Sequence, residues 1–292
     1  MKAFIDKADV LIEALPYIQR FKGKKVIIKF GGSVISEEKH TESVLKDVVF
    51  MRTVGMQPIV VHGGGKSITM RMRESGITAR FIQGLRYTDS KTMEIVQDVL
   101  RNEISKNIGD IISQFGAVPA YFNGRDTGTF FCARKTQFMG KEIDLGLVGD
   151  IVRVDTEGIV KACESEKVPV IAPIGVDEEG VLYNINADSM AGEMASALNA
   201  EKIVFLSDIP GILKDVNDPK SMISSLRKKD VDILIRQGVI HGGMIPKIDS
   251  CLKSLEAGAR KTHIIDGRLS HSLLLEIFTD KGVGTEIVRD NY

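Results

Sequence analysis

The chain has 292 residues, with 39 Lys and Arg against 39 Asp and Glu and 43% hydrophobic residues. That length suits one large α/β domain or two lobes, and the ordinary apolar and charged fractions exclude a disordered chain. A formal net charge of zero argues against a general nucleic-acid binder. No apolar run approaches the ~20 residues needed to span a bilayer, so no membrane association is expected. The N-terminal stretch mixes acids and bases through its apolar residues, unlike a signal or transit peptide, which predicts a cytoplasmic protein. Cys132, Cys163 and Cys251 lie far apart without a CxxC, as expected of free thiols in a reducing compartment. The five histidines show no metal-ligand spacing, and no Ser/His/Asp arrangement stands out.

In chain order, KADVLIEALPYIQRF carries Leu11, Leu15 and Ile18 at helical spacing, and Pro16 should kink that amphipathic helix. KVIIKF (25–30) reads as a strand that breaks at Gly31-Gly32, followed by a helix near 41–54. PIVVH (58–62) is a second strand, broken at Gly63-Gly64-Gly65 before a helix over 66–75. Residues 88–116 form the longest helix candidate, with Thr88 or Asp89 as its cap. AVPAYF (117–122) is a third strand, and 128–155 reads as antiparallel ribbons punctuated by glycine. VPVIAPI (168–174) is a strand, 181–186 one side of a hairpin, and 187–200 a helix of small residues. KIVFLSD (202–208) and THIIDG (262–267) complete the strands, the latter followed by a helix over 270–279. Alternating strands and helices imply a mainly parallel sheet covered on both faces, in two lobes that meet near residues 175–185.

In such sheets ligands bind where strands end and loops begin, and the glycine clusters fall at those ends. Lys29 precedes Gly31-Gly32, where backbone N–H groups can approach an anion closely; the alternative is a tight turn beside a snorkelling lysine. VVHGGGKS (60–67) fails as a Walker A loop, because Val60 stands where its first glycine belongs. It still sets three glycines at the start of a helix, where the dipole favours an anion. His62 beside this turn is a structural or a catalytic histidine. Lys66, Arg71, Arg73, Arg80 and Arg86 outweigh Glu74 locally; Arg71 and Arg73 read as a solvated face, whereas Arg86 is a candidate carboxylate clamp. Asn184 and Asn186 alternate at a strand end. Asp188 reads either as an N-cap or as a carboxylate that positions lysines. Lys247 projects from a helix N-terminus, against the dipole, which an adjacent anion would explain.

Two glycine-flanked lysines, one acid and no obvious general base suggest phosphoryl transfer, which depends mainly on positioning and charge. A carboxylate acceptor, with a pKa of ~4, needs no base. Acyl-phosphate formation is therefore consistent with these residues.

Taken in order, KFGGS, VVHGGGKSI, FIQGLRYTD, NINAD, LSDIPGIL, GGMIPKI and HSLLLEIFTDKGVGT resemble the amino acid kinase family, from about residue 10 to 288. The branch they resemble most uses N-acetyl-L-glutamate as acceptor. The resemblance implies an α/β fold, a three-layer αβα sandwich with a mainly parallel central sheet and two lobes. It implies an N-terminal oligomerisation helix over 1–22, an acceptor-binding and dimerisation lobe over 23–180, and an ATP-binding lobe over 181–292. The implied reaction moves a phosphoryl group from ATP to the acceptor's side-chain carboxylate in L-arginine biosynthesis, with Mg²⁺ carried by ATP and no protein metal site. Lys29 and Lys247 would stabilise the moving group, with Asp188 orienting both. Gly64, Gly65, Arg86 and Asn184 would bind the acceptor. Gly31, Gly32, Ser207, Asp208, Gly211, Gly242 and Gly243 would bind the nucleotide. In the arginine-sensitive members a kinked N-terminal helix interlaces dimers into a hexamer, with arginine bound beside it as inhibitor; Tyr17, His271, Glu276 and Gly284 would be the effector positions here. A PII-type partner follows from family analogy alone. FNGRDTGTFFCARK (122–135), His241 and Glu286 depart from the family pattern. Sister kinases acting on carbamate, aspartate, glutamate or UMP, a silent ligand-binding regulator on this fold, and a dinucleotide-dependent oxidoreductase are the competing readings. The last lacks any GxGxxG after a strand.

Overall fold

Val26, Ile27, Ile28 and Phe30 are all fully buried in one short strand, as happens only where a sheet is covered on both faces. The computed structural model describes residues 1–32, 34–35, 37–138, 140–242, 244–279 and 282–290, without the side chains of Ala3, Asp6, Lys7 and Pro246. The chain opens with α1 (Lys2–Phe21), β1 (Lys25–Phe30), α2 (Glu38–Thr53), β2 (Gln57–His62) and α3 (Gly65–Glu74). A hairpin of β3 (Phe81–Ile82) and β4 (Leu85–Arg86) leads to α4 (Ser90–Asp98), a π-helical segment (Val99–Ser105) and α5 (Lys106–Gln114). Then come β5 (Val118–Phe122), α6 (Gly124–Thr127), β6 (Phe130–Arg134), β7 (Gln137–Phe138), β8 (Lys141–Glu142), β9 (Gly149–Val154) and α7 (Glu157–Glu164). Next are β10 (Lys167–Ile171), β11 (Ile174–Val176), β12 (Leu182–Asn184), α8 (Ala187–Ala197) and β13 (Lys202–Ser207). The chain ends with β14 (Ser225–Arg227), α9 (Lys228–Arg236), α10 (Met244–Ala257), β15 (Lys261–Asp266), α11 (Ser272–Ile277) and β16 (Thr285–Val288).

The main sheet has eight strands in the order β14-β16-β15-β13-β1-β2-β10-β5. Its pairs are parallel except β15 with β16. Alternate residues of β1 feed two cores: Val26, Ile28 and Phe30 pack under α2, α4 and α5, and Ile27 packs under α7, α8 and α10. The expected three-layer αβα architecture with a mainly parallel sheet is therefore present. A second, four-stranded sheet, β12-β11-β6-β9, carries the ribbons expected over 128–155. No helix among the described residues is long and apolar enough to cross a membrane.

Three local expectations change. The run 168–174 is two strands in different sheets: Ala172 N still continues the pairing with β5, to Phe122 O at 3.0 Å, but Pro173 has no N–H and Ile174 N turns back to Ala172 O at 2.8 Å. The long helix runs from Ser90 to Gln114 but contains the π-helical segment, with Asp89 as its cap, accepting from Thr92 N at 2.8 Å. The helix expected over 270–279 is Ser272–Ile277. In α1, Pro16 lies inside the helix, while Phe4, Ile5, Leu11 and Leu15 are exposed.

Candidate functional site

β1 and β2 end side by side in register, with Lys29 opposite Val61 and Phe30 opposite His62. Both chains then turn through glycine. Gly32 has a φ of +64°, a conformation that L side chains rarely adopt. Gly64 ends the strand-to-helix turn of α3, and a Cβ there would lie 2.5 Å from Leu100 Cδ2 and 2.9 Å from Ile104 Cδ1. The π-helical segment supplies both neighbours, and also Ser105, whose Oγ lies 2.7 Å from His62 Nε2. His62 is fully buried, and burial pushes its imidazole down to about 4, with a smaller opposing effect from Gly63 O. It is the structural histidine of the two readings, a neutral post between β2 and this segment.

Lys29 lies on the sheet face covered by α8 and pairs with Asp188 at 2.7 Å. Asp188 is free to do so because it does not cap its helix. Asn186 is the N-cap, its Oδ1 accepting from Asp188 N at 2.9 Å and Ser189 N at 3.0 Å. The capping alternative for Asp188 is thus replaced: the acid stands one residue inside α8, aimed at the strand. Asn184 ends β12 and donates from Nδ2 to Thr88 Oγ1 at 3.2 Å.

Arg86 closes the other side. It is only 8% exposed, and its guanidinium donates to Gly65 O at 2.8 Å, Thr69 Oγ1 at 2.7 Å and Met72 Sδ at 3.2 Å. The Phe81 ring lies 4.8 Å from its Cζ. Among the described residues no carboxylate pairs with it, and burial lowers its pKa. A buried guanidinium without an acid is an anion site in waiting.

These groups line one cavity of about 700 Å³, which brings together Lys29, Gly31, Gly32, Gly64, Gly65, Arg86, Asn184 and Asp188. Lys66, Thr69, Arg73, Phe81 and Asn186 also line it. The sequence pattern alone gives these five no part in the site, although the i, i+3, i+7 spacing of Lys66, Thr69 and Arg73 on α3 is a signal of a shared face. Ile68, Leu85, Leu100 and Val148 add an apolar wall.

Lys247 is elsewhere, in the first turn of α10. Its Nζ donates to Ser207 Oγ at 2.6 Å and Asp208 Oδ1 at 2.8 Å, at the end of β13. That bond holds the Asp208 carboxyl below its ordinary value against a smaller effect of burial. Asp188 therefore holds Lys29, and Asp208 holds Lys247. The helices behind them are nevertheless joined. A Cβ on Gly192 would lie 2.7 Å from Ser254 Oγ, and one on Gly258 would lie 3.1 Å from Ser196 Oγ. Those contacts run in the same sense along the chain, so α8 and α10 are parallel and both N-termini point to the edge where β1 and β13 end. Gly211, with φ +143°, packs against Thr285, and Gly242 lies in the turn before α10. Gly243 lies outside the described residues.

A second cavity of about 320 Å³ lies between α1, β15 and α11, and is lined by Tyr17, Arg20, Lys202, Lys261, His263, Glu276 and Glu286 among others. Glu276 is buried against His263 Nδ1 at 2.6 Å and accepts from Val283 N at 2.8 Å and Gly284 N at 3.2 Å. Burial alone would raise its carboxyl, but these partners hold it below the usual range. His271 does not line this cavity; its Nδ1 is 2.6 Å from Asp47 Oδ1. Glu286, a departure from the family pattern, does line it and pairs with Lys261 at 3.1 Å.

The profile of the amino acid kinase family matches residues 24–266. A protein of Heliobacterium modesticaldum named acetylglutamate kinase is 47% identical over 291 residues, covering 98% of this chain and 99% of its own. The acetylglutamate kinase of Moorella thermoacetica is 50% identical over 291 residues, covering 97% of this chain and 98% of its own. Among solved structures, N-acetylglutamate synthase from Neisseria gonorrhoeae, complexed with coenzyme A and N-acetyl-glutamate, superposes with a TM-score of 0.84 at 21% identity. The match covers 98% of this chain and 64% of that one, a likeness of fold.

Proposed function

The chain belongs to the amino acid kinase family, and from that premise we propose that it phosphorylates N-acetyl-L-glutamate. The γ-phosphoryl group of ATP passes to the side-chain carboxylate, giving N-acetyl-L-glutamyl 5-phosphate, a step of L-arginine biosynthesis carried out in the cytoplasm. The observation that carries this reading is the pairing, in one cavity, of a buried Arg86 that has no acid partner among the described residues with the Lys29–Asp188 pair. Arg86 and the start of α3 at Gly64 and Gly65 take the α-carboxylate. Asn184 and the apolar wall take the acetylated end, and Lys29 meets the reacting carboxylate where the phosphate arrives. The acceptor is already ionised, so no base is needed. Lys29 offsets the charge that builds as one anion approaches another.

The nucleotide lies over the ends of β1 and β13, with Gly31 and Gly32 on one side and Ser207, Asp208, Gly211 and the turn at Gly242 on the other. The expected lobes, 23–180 for the acceptor and 181–292 for ATP, are crossed in this reading at Asn184, which goes to the acceptor, and at Gly31 and Gly32, which go to the nucleotide. Mg²⁺ would neutralise phosphate oxygens and would arrive on the nucleotide. Among the described residues no group of three or more His, Cys, Asp or Glu side chains could hold a metal ion by itself. Lys247 would exchange Asp208 for the incoming phosphate.

The second cavity supports arginine as inhibitor. It places acids (Glu276, Glu286) and cations (Lys202, Lys261) around one space, which suits a zwitterion with a cationic side chain. Tyr17 comes from α1, whose exposed Phe4, Ile5, Leu11 and Leu15 favour burial against another subunit, as in a hexameric trimer of dimers.

The test is an assay with ATP, Mg²⁺ and N-acetyl-L-glutamate in which hydroxylamine traps the acyl phosphate as hydroxamate. Product with N-acetyl-L-glutamate and none with free glutamate, aspartate or carbamate is expected. Product with one of those acids instead would overturn the acceptor assignment.

A further inference from the structure

The segment between β15 and α11 makes two contacts with the chain that follows Gly32, one to the loop at Val34 and one to α2. At its start, a Cβ on Gly267 would lie 2.7 Å from Val34 Cγ2, so fully buried Val34 occupies the room a side chain would take. Val34 belongs to the loop that follows Gly32, and its carbonyl accepts from Thr41 Oγ1 of α2 at 3.1 Å. At the segment's end, His271 Nδ1 lies 2.6 Å from Asp47 Oδ1, and His271 N donates to Ser43 Oγ at 3.2 Å. Both partners lie on α2, more than 220 residues away in sequence.

Two features make this more than a surface ion pair. Asp47 is only 1% exposed, and a buried carboxylate is costly unless its partners are fixed. His271 is on its Oδ1, while Oδ2 has no hydrogen-bond partner among the described residues, and burial raises the carboxyl above its ordinary value against the opposing effect of His271. His271 itself has a φ of +59°, a left-handed conformation uncommon outside glycine, in which Asn, Asp and His are the side chains found most often. Such strain persists only where surrounding contacts impose it. Five residues on, α11 presents Glu276 to the second cavity.

We propose that the Asp47–His271 pair is a clasp that positions the nucleotide-side loop. It holds α2, and through Thr41 and Val34 the Gly31–Gly32 turn, against the segment that leads to Glu276. Asp47 and His271 are positioning residues, acting through the loop rather than on the phosphate. The clasp also links the second cavity to the loop, so that an occupant pulling on Glu276 shifts the grip on Val34. This last step rests on reading that cavity as the arginine site; the positioning role does not.

The test uses the full chain with His271→Asn and, separately, Asp47→Asn. Asn tolerates the left-handed backbone at 271 and removes the imidazole, so this variant should fold even if Asp47→Asn does not. KM for ATP, KM for N-acetyl-L-glutamate, kcat, half-inhibition by L-arginine and arginine binding by calorimetry are measured. The expected result is a rise of roughly tenfold in KM for ATP with KM for the acceptor within about twofold, since a lost pair of this kind uncouples only what it positions. Arginine should still bind, with the concentration for half-inhibition raised by a similar factor. An unchanged KM for ATP in folded His271→Asn, or an equal rise in both KM values, overturns the clasp. Wild-type protein that binds no arginine defeats the effector reading alone and leaves the KM comparison to decide the rest.

Discussion

Replacing Asp188 by Asn tests the electrostatic core of the site. The carboxylate lies 2.7 Å from Lys29 Nζ, with both side chains about one-fifth exposed. At an effective dielectric of about 20, unit charges at that distance attract by about 6 kcal/mol, much of which offsets the desolvation of the pair. The net worth of such a partly buried ion pair lies between the roughly 0–1 kcal/mol of an exposed pair and the roughly 3–5 kcal/mol lost when a buried pair is broken. Asn keeps the shape of the side chain and loses the charge, so Lys29 is no longer held where the phosphoryl group passes. A loss of roughly 2–3 kcal/mol of transition-state stabilisation predicts a fall in kcat of roughly 30- to 150-fold. Both KM values should stay within about threefold, because an interaction made mainly in the transition state leaves ground-state binding alone. The hydroxamate assay reads the rate. A denaturant melt should show a change below about 1 kcal/mol, because water can solvate a partly exposed lysine. A variant that keeps kcat within about threefold of wild type, with unaltered folding, would refute the role given to the pair.

Two further substitutions probe the frame around the cavity. Gly64→Ala puts a methyl group 2.5 Å from Leu100 Cδ2 and should cost about 1–3 kcal/mol by overpacking. Gly65→Ala, with nothing within 4 Å of its Cβ, should leave stability near wild type and raise KM for the acceptor; equal stability of the two variants in urea melts counts against this packing account. His62 titrates at about 4 when folded, against 6.5 unfolded, so the unfolded chain takes up the proton first. Its contribution is complete above about pH 6.5 and is lost as pH falls towards 4, by up to about 3 kcal/mol. His62→Gln should flatten the stability profile in that window, and an identical slope in both proteins would remove the buried-histidine explanation.

The parallel sheet was legible in the sequence because its strands are continuous apolar runs ending in glycine, a pattern that survives without knowledge of neighbours. Lys29, Gly64 and Arg86 were legible for the same reason, since each stands beside a glycine break. What local pattern could not supply is which polar group faces which. Asp188 and Asn186 both suit a helix start, and only the fold decides that Asn186 caps while Asp188 turns to Lys29. The break at Pro173 was hidden because Ala172 and Pro173 sit within an unbroken apolar run, although the ring removes the donor a strand needs. His271 was assigned to the effector site by resemblance, yet its partner Asp47 lies on α2, a contact that no spacing reveals.

Lys29, Lys247 and Arg86 divide by whether the chain supplies their counter-charge, and that division fits the roles proposed for them. Lys29 and Lys247 each have a carboxylate of their own, Asp188 and Asp208. Such lysines are held at the strand ends without standing as bare charges, and they gain most when a phosphoryl group carrying more negative charge draws near. Their stabilisation is therefore weighted to the moment of transfer, where it raises rate rather than affinity. Arg86 is the opposite case: buried, tied only to Gly65 O, Thr69 Oγ1 and Met72 Sδ, and without an acid among the described residues. On the proposed role, the acceptor carries its missing counter-charge throughout the reaction, so Arg86 would contribute to binding in the ground state and the transition state alike. On the proposed roles, recognition and catalysis would be separated electrostatically: Lys29 in the cavity and Lys247 outside it are paired within the chain, whereas Arg86 is left for the substrate to complete.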